Sequence, residues 1–253
     1  MGTGALARPG DAKASLRTSV IPTLVIPPLR NLRFHDYLVR VIKRAIVFLF
    51  LSTLAAFAAP KAEKIGPFAE GSDKLKAALA PDGYRVFLPN TLACCDVWLA
   101  KSVDVKKKDA PGAYYPEFHE SEFLGVITFP KGGGGDFRGQ SIKPGSYTMR
   151  YELLPSDGNH MGVAPYPDFV LLIPIADDPD PAATLDFGQM VALSTKASGT
   201  AHPAAFEMMP PREGNEPSVF QTDDGWIVFQ FAINSSDSKP IKIAFVVKGS
   251  AEQ

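Results

Sequence analysis

Three segments of the chain alternate apolar and polar side chains with a period of two, and this alternation constrains the fold more than any other feature. The segments are residues 147–153, 227–233 and 241–247. Consecutive side chains of a β-strand point to opposite faces of the sheet, so each segment has one apolar face and one polar face. Strands of this kind are typical of antiparallel sheets with one buried side. No repeat supports a coiled-coil or collagen-like fold.

Further short segments combine strand-forming residues with turn signals at their ends. Lys143-Pro144-Gly145-Ser146 fits a type II turn, and Asp223-Asp224-Gly225 fits a hairpin connection. Ten strands at this spacing predict a mainly β fold over residues 84–250, an antiparallel β-sandwich of immunoglobulin-like or jelly-roll-like type. The predicted strands are Tyr84–Leu88, Cys95–Val105, Phe123–Phe129, Phe137–Ile142, Ser146–Leu154, Asp168–Ile175, Ala204–Met208, Val219–Gln221, Trp226–Ile233 and Ile241–Val247.

One or two short helices are predicted beside these strands. Ser72 is positioned to cap a short helix that ends before Pro81. A second helix is predicted between Thr184 and Ser198, with an apolar stripe that includes Phe187 and with Gly199 as its stop. Residues 59–83 are therefore interpreted as a linker, over Lys61–Gly71, followed by the short helix.

The segment at residues 39–58 has the three parts of a secretory signal peptide. Basic residues, among them Arg40 and Arg44, precede an apolar run over 45–59 that closes with Ala56-Phe57-Ala58, an A-x-A cleavage pattern. The run is 15 residues long, shorter than the ~20 that a spanning helix needs. We therefore expect a secreted or periplasmic protein with no stable membrane span after signal cleavage.

Residues 1–38 precede this signal and contain a proline-bearing stretch. Since a signal peptide normally begins at its basic region, we interpret residues 1–38 as disordered or as a mis-assigned start, with translation beginning near Leu38 to Val41.

The charges of the chain are distributed unevenly. Residues 1–58 hold eight Lys and Arg against two Asp and Glu, a balance of +6, whereas residues 59–253 hold 18 against 25, a balance of −7. A protein that binds nucleic acid needs a basic face on its folded domain. The acidic balance therefore argues against a nucleic-acid partner.

Three sequence stretches carry a resemblance. They are FRGQSIKPGSYTMRY at 137–151, DGNHMGVAPYPDF at 157–169 and KASGTAHP at 196–203. Together they resemble a family of small, uncharacterised secreted bacterial β-sandwich proteins, and the P-G-x-Y turn is similar to turns of immunoglobulin-like and transthyretin-like extracytoplasmic domains. The resemblance covers roughly residues 84–250 and implies export and a β fold. It implies no assigned activity.

Cys94 and Cys95 are the two cysteines of the chain. Neighbours on a strand point to opposite faces, and the ~3.8 Å between adjacent Cα atoms is below the usual disulfide range. Three interpretations stay open: both are small buried hydrophobes, one pairs with another chain, or the two act in soft-metal binding or redox chemistry.

The loop Pro155–Pro167 is the first candidate for a functional site, because it is long and holds several polar side chains. Aromatic residues around it, such as Tyr114 and Trp98, suggest a platform for a sugar or a peptide. An alternative is that the loop only packs over the sheet edge. The predicted ligand-binding residues are Asn159, His160, Met161, Tyr166, Asp168 and Tyr115.

A metal site is the competing hypothesis. His119, Glu120, His160 and His202 form the candidate ligand set for copper or zinc, with Glu120 or Glu207 as the base of a metal-dependent hydrolase. No spacing forces these residues onto one face. Nucleophile-elbow, P-loop and H-E-x-x-H motifs are absent from the sequence. The favoured prediction is therefore an exported, non-catalytic binding or structural module that needs no cofactor, with a small molecule, a glycan or a protein as partner.

Overall fold

The computed structural model describes residues 37–43, 59–89, 92–106, 110–155 and 164–249. The chain divides into two compact units, Met1–Ala56 and Phe57–Gln253. Residues 37–43 of the first unit form helix α1. Residues 1–36 of the predicted mis-assigned start and residues 44–58 of the predicted signal peptide lie outside the described residues. Among the residues that are described, no helix is long and apolar enough to cross a membrane.

The second unit contains the strands and two further helices. Helices α2 and α3 cover Asp73–Ala78 and Phe187–Ser198. The first strands are β1 (Lys61–Ile65), β2 (Gly83–Phe87), β3 (Ala93–Leu99), β4 (Phe123–Phe129), β5 (Gly134–Gly135) and β6 (Ser141–Ile142). The later strands are β7 (Gly145–Leu153), β8 (Asp168–Pro174), β9 (Ala205–Met209), β10 (Ser218–Gln221), β11 (Ile227–Asn234) and β12 (Pro240–Lys248).

Ten of these strands form one sheet in the order β1-β2-β3-β4-β7-β8-β9-β12-β11-β10, and β5 pairs with β6 separately. All pairs between neighbouring strands are antiparallel. The first part of β9 pairs with β8 and its last two residues pair with β12. The end strands β1 and β10 lie in contact, so the sheet is nearly closed. The predicted mainly antiparallel β fold is confirmed.

The apolar faces of the three alternating segments meet in one core inside this sheet. Tyr147, Met149 and Tyr151 of β7 are buried there with Phe229 of β11 and Phe245 of β12. Each fully buried aromatic or aliphatic side chain of this size contributes roughly 1.5–3 kcal/mol to folding. The period-two pattern is therefore confirmed as the pattern of the core.

The opposite face of β7 is buried as well, although its sequence is polar. Thr148, Arg150 and Glu152 are each at most 4 % exposed. The guanidinium of Arg150 makes two hydrogen bonds of 2.7 Å to the carboxylate of Asp178, in the segment that follows β8. A charged side chain tolerates such burial only when it is paired. The connection between β8 and α3 therefore covers this face. The alternation of apolar and polar residues by itself predicts that this face is exposed to solvent.

Both predicted helices are present, and their caps explain their bounds. The Ser72 side chain accepts a hydrogen bond from the Leu75 N–H at the start of α2. Helix α3 begins three residues after Thr184, because Asp186 forms a capping box with Gln189. It ends where Gly199 takes a φ of 72°, a left-handed conformation that glycine adopts without strain.

Replacing Asp186 by alanine is expected to lower the free energy of unfolding by about 1 kcal/mol, because the Gln189 N–H then loses its acceptor. Urea unfolding followed by circular dichroism measures the change. Asp224→Ala, at an exposed position in the β10–β11 connection, is the control and leaves the midpoint unchanged. Equal effects of the two substitutions would contradict the capping role of Asp186.

Three segments differ from the prediction. The predicted strand Cys95–Val105 ends at Leu99, and beyond it Ala100 and Val103 make isolated bridges to Leu79 and Ser235. Residues 61–65 form edge strand β1, paired with β2, and not a linker; the charges of Lys61, Glu63 and Lys64 are tolerated because an edge strand is largely exposed. The predicted strand Phe137–Ile142 is reduced to β6, because the carboxylate of Asp136 accepts backbone hydrogen bonds from Arg138 and Gln140 and holds the chain in a turn.

Candidate functional site

A cavity of about 120 Å³ lies on the outer face of β7, β8 and β9, beneath helix α3. We call it the outer cavity. Its floor comes from the three strands, one wall from α3, and its rim from the segments before β6 and before β9. The lining residues are Phe137, Arg138, Glu152, Leu153, Leu154, Pro155, Phe169, Leu171, Phe187, Val191, His202, Pro203 and Ala205.

The strand register explains the floor. Glu152 of β7 lies opposite Phe169 of β8, and Leu171 of β8 lies opposite Ala205 of β9. Residues directly opposite each other in an antiparallel pair project from the same face. The carboxyl group of Glu152, in a residue 4 % exposed, therefore reaches the cavity among apolar side chains. Its Oε1 accepts a hydrogen bond from the Leu153 N–H at 2.8 Å, which fixes the side chain.

Hydrogen bonds hold the rim in place. Arg138 and Gln140 both donate to the carbonyl oxygen of Pro203, at 3.2 and 3.1 Å. The Ser198 hydroxyl at the end of α3 donates to the carbonyl oxygen of His202 at 2.7 Å. These contacts join the turn before β6 to the connection between α3 and β9. The rim thus presents a guanidinium and an exposed imidazole above an apolar cavity.

A second buried acid lies beside the outer cavity. Glu207 of β9 is opposite Phe169, so Glu152, Phe169 and Glu207 form one row across three strands. Glu207 is fully buried; its Oε1 accepts a hydrogen bond from the Tyr166 N–H at 3.1 Å, and its Oε2 has no hydrogen-bond partner among the described residues. Burial raises the pKa of Glu207 to about 8. The side chain is therefore mostly protonated at neutral pH.

The loop predicted as the first functional candidate borders the outer cavity. Leu154 and Pro155 line the cavity, and the Leu154 N–H donates to the Pro167 carbonyl oxygen at 2.7 Å, which closes the base of the loop. Three predicted ligand-binding residues, Asn159, His160 and Met161, lie outside the described residues. Their ligand-binding role stays a prediction.

The other three predicted ligand-binding residues lie close together, outside the lining of the cavity. Asp168 is fully buried and accepts hydrogen bonds from the Tyr115 N–H at 3.2 Å and the Tyr151 hydroxyl at 2.8 Å. The Tyr115 hydroxyl donates to the carbonyl oxygen of Met209, and burial raises the pKa of Tyr115. Tyr166 packs edge-to-face on Tyr114 at 5.0 Å. In these contacts, Asp168 and Tyr115 fix the chain before β4 onto the sheet.

The predicted aromatic platform is only partly assembled. Tyr114 and Tyr166 contact each other, but Tyr115 stacks on Phe118 inside the core. Trp98 is buried elsewhere, where its Nε1 donates to the Gly66 carbonyl oxygen. Of the predicted platform, the contacting pair of Tyr114 and Tyr166 is thus the part that lies outside the core.

The predicted metal ligands have other partners in the structure. The Nε2 atom of His119 lies 2.5 Å from Glu122, and its Nδ1 atom lies 3.1 Å from the Glu120 backbone oxygen. His202 is at the rim of the outer cavity. Within the described parts of the chain, no three or more His, Cys, Asp or Glu side chains are grouped to hold a metal ion. His160 lies outside them, so copper or zinc binding stays a prediction.

Sequence reasoning missed Glu152 and Arg138 as cavity residues. Glu152 occupies a polar position of an alternating strand, where the pattern predicts exposure, and no local signal indicates that it is buried at a cavity. The apolar stripe of α3, with Phe187 and Val191, was the available signal, since it shows that the helix packs on the sheet face.

Comparison of the chain with protein-family models, with curated proteins and with solved structures finds no match.

Proposed function

We propose that this protein is an exported, non-catalytic binding module that holds a small ligand in the outer cavity. The observation that carries the proposal is the carboxyl group of Glu152, fixed at the floor of a cavity with mostly apolar walls. Ligand sites typically combine apolar walls with a few placed polar groups. An apolar protein cavity of about 150 Å³ is known to admit benzene, so about 120 Å³ suits a ligand with one ring or a short branched chain.

The chemistry of the floor selects the head group of the ligand. A carboxylate has more acceptor positions than the hydrogen bonds it commonly receives, so Glu152 can accept a further hydrogen bond from a ligand, and a charged donor gives the strongest one. We infer that the ligand has an apolar body and a donor head, with a protonated amine as the best match for Glu152. The acidic balance of residues 59–253 favours the approach of a cation.

The finer description of the fold belongs to the same proposal. Strand β9 pairs with β8 along its first part and with β12 along its end, which supports two packed layers that share one strand, as in a sandwich. Export is supported by the signal pattern at residues 39–58, and by the resemblance to secreted bacterial β-sandwich proteins.

Benzylamine, benzyl alcohol and benzoate are suitable probes, because they share a ring and differ in the head group. We expect benzylamine to bind with a dissociation constant at or below about 1 mM, or roughly −4 kcal/mol, and benzoate to bind more weakly. Glu152→Gln should weaken benzylamine binding about tenfold and leave benzyl alcohol binding nearly unchanged, because it removes a charge-assisted hydrogen bond. Calorimetric titration of the full chain measures both.

Filling the cavity gives the second arm of the test. Ala205→Phe places a ring where Leu171 and Val191 face the cavity, and it should abolish binding of all three probes. Ala201→Phe is the matched control, since Ala201 is exposed in the same connection and does not line the cavity. Binding that survives Ala205→Phe would exclude the outer cavity as the site. Stoichiometric copper or zinc, without binding of the probes, would favour the metal hypothesis instead.

A further inference from the structure

Cys94 and Cys95 lie at a β-bulge near the start of β3. Cys95 is opposite Val86 of β2, whereas the next residue of β2, Phe87, is opposite Ala93. Cys94 is therefore the extra residue of β3, and no residue of β2 lies opposite it. A bulge of this kind bends the strand and redirects side chains that regular pleating would place on alternate faces.

The redirection turns both side chains toward the interior. The Cys94 sulfur lies 3.7 Å from the carbonyl oxygen of Val247 in β12, a strand that is not a neighbour of β3 in the sheet, and Cys95 is buried in the core. Both cysteines pack on the inner core. The expectation that these neighbours point to opposite faces of the sheet therefore differs from the structure, because it assumes a regular strand.

The pair has one sheltered and one reachable sulfur. Cys95 is 1 % exposed, whereas Cys94 is half-buried and the preceding residues Leu92 and Ala93 are exposed. Both thiols are free. Cys94 is thus the first sulfur to meet a soft ion.

We propose that Cys94 and Cys95 form a dithiol site for a soft, two-coordinate metal ion of the Hg²⁺ or Cu⁺ class. Thiolates are the ligands that soft ions prefer, and two adjacent sulfurs on one side of a strand can close a chelate ring. Each thiol that binds the ion releases its one proton, and no electron is transferred. The site uses no residue of the outer cavity and is independent of the function proposed for it.

Titration of the reduced full chain with Hg²⁺ tests the proposal. We expect intact mass to show one ion per chain and both thiols to lose their reactivity toward a thiol-modifying reagent. We also expect the chain to retain the ion in the presence of a millimolar monothiol. Cys94→Ala and Cys95→Ala should each reduce that retention by about a hundredfold or more, since a second attachment to the same ion adds a factor of that order. Circular dichroism melting confirms that each variant is folded.

Four outcomes would overturn the site. They are two ions bound per chain through separate thiols, undiminished retention of the ion in folded Cys94→Ala, the same result in folded Cys95→Ala, and equal retention by the urea-unfolded chain. The last outcome would assign the binding to the Cys-Cys sequence alone and remove the role of the bulge.

Discussion

Asp178→Asn is expected to lower the free energy of unfolding by about 3–5 kcal/mol, because it leaves the guanidinium of Arg150 charged and buried without its counter-ion. Arg150 is fully buried and Asp178 is 3 % exposed. The carboxylate of Asp178 accepts from Nε and Nη2 of Arg150, each at 2.7 Å, and from the Thr148 hydroxyl at 2.6 Å. Arg150 cannot lower this cost by deprotonation, because a guanidinium group stays protonated in proteins.

The other contacts of Arg150 do not replace the carboxylate. Its Nη1 donates to the carbonyl oxygens of Ser121 and Ala183 at 2.8 Å, and its Nη2 donates to that of Asp180 at 3.0 Å. These acceptors satisfy hydrogen bonds but carry no full negative charge. The cluster connects β7 to the chain before β4 and to the β8–α3 connection, so its disruption should also loosen the cover of the outer face.

Urea unfolding at neutral pH measures the effect, and the neighbouring residue supplies the control. Asp177 pairs with Lys196 at 2.6 Å, but both side chains are substantially exposed. Asp177→Asn should therefore cost at most about 1 kcal/mol, as surface ion pairs do. If Asp178→Asn cost no more than Asp177→Asn, the buried pair would not have the stabilising role assigned to it.

The free energy of unfolding of the protein is expected to fall between pH 5 and pH 9, and Glu207→Gln is expected to remove most of this fall. Burial raises the pKa of Glu207 from 4.5 to about 8, because it removes water from the carboxylate; the Tyr166 N–H that donates to Oε1 lowers the pKa and offsets only part of this effect. Each unit of such a shift corresponds to about 1.4 kcal/mol, so this one amounts to on the order of 5 kcal/mol.

The sign follows from the proton balance. Between pH 4.5 and about 8 the unfolded chain loses the proton of Glu207 while the folded chain keeps it, so stability falls as pH rises through this window. The contribution is present in full below the unfolded pKa and is lost as pH passes the folded one. Glutamine has nearly the same shape and no titration, so the variant keeps its stability across the same range.

The measurement is the free energy of unfolding at pH 5 and at pH 9 for the chain and for the variant. The control is Glu213→Gln, at an exposed position, which should leave the difference between the two pH values unchanged. A decline of the same size in Glu207→Gln and in the unchanged chain would show that Glu207 does not titrate in this range.

The predictions from sequence succeeded where the signal is local. The alternation in β7, β11 and β12 identified their core faces, because a period of two follows from the pleat itself. Ser72 and Gly199 marked helix ends, because a cap acts on backbone groups within one turn. Strand β1 escaped this reasoning, since an edge strand with charged residues has no alternation to reveal it.

The candidate site was only partly predictable. The length and composition of the loop Pro155–Pro167 indicate a functional site, and its first residue, Pro155, lines the outer cavity. They do not indicate Glu152, because the cavity that it reaches is formed by segments far from it in sequence, such as Phe187 and His202. His119 was considered with Glu120, but the side chain it contacts is that of Glu122.

By itself, the sequence determined the elements that depend on neighbouring residues: the mainly antiparallel β composition, the inward faces of the central strands, the Ser72 cap of α2 and the Gly199 stop of α3. Only the tertiary structure decided that the polar face of β7 is buried, that Arg150 meets Asp178, and that a bulge turns both Cys94 and Cys95 toward the core. The physical reason is that burial and strand register depend on distant segments that pack on a strand. Those contacts produce no periodic pattern in the sequence of the strand itself.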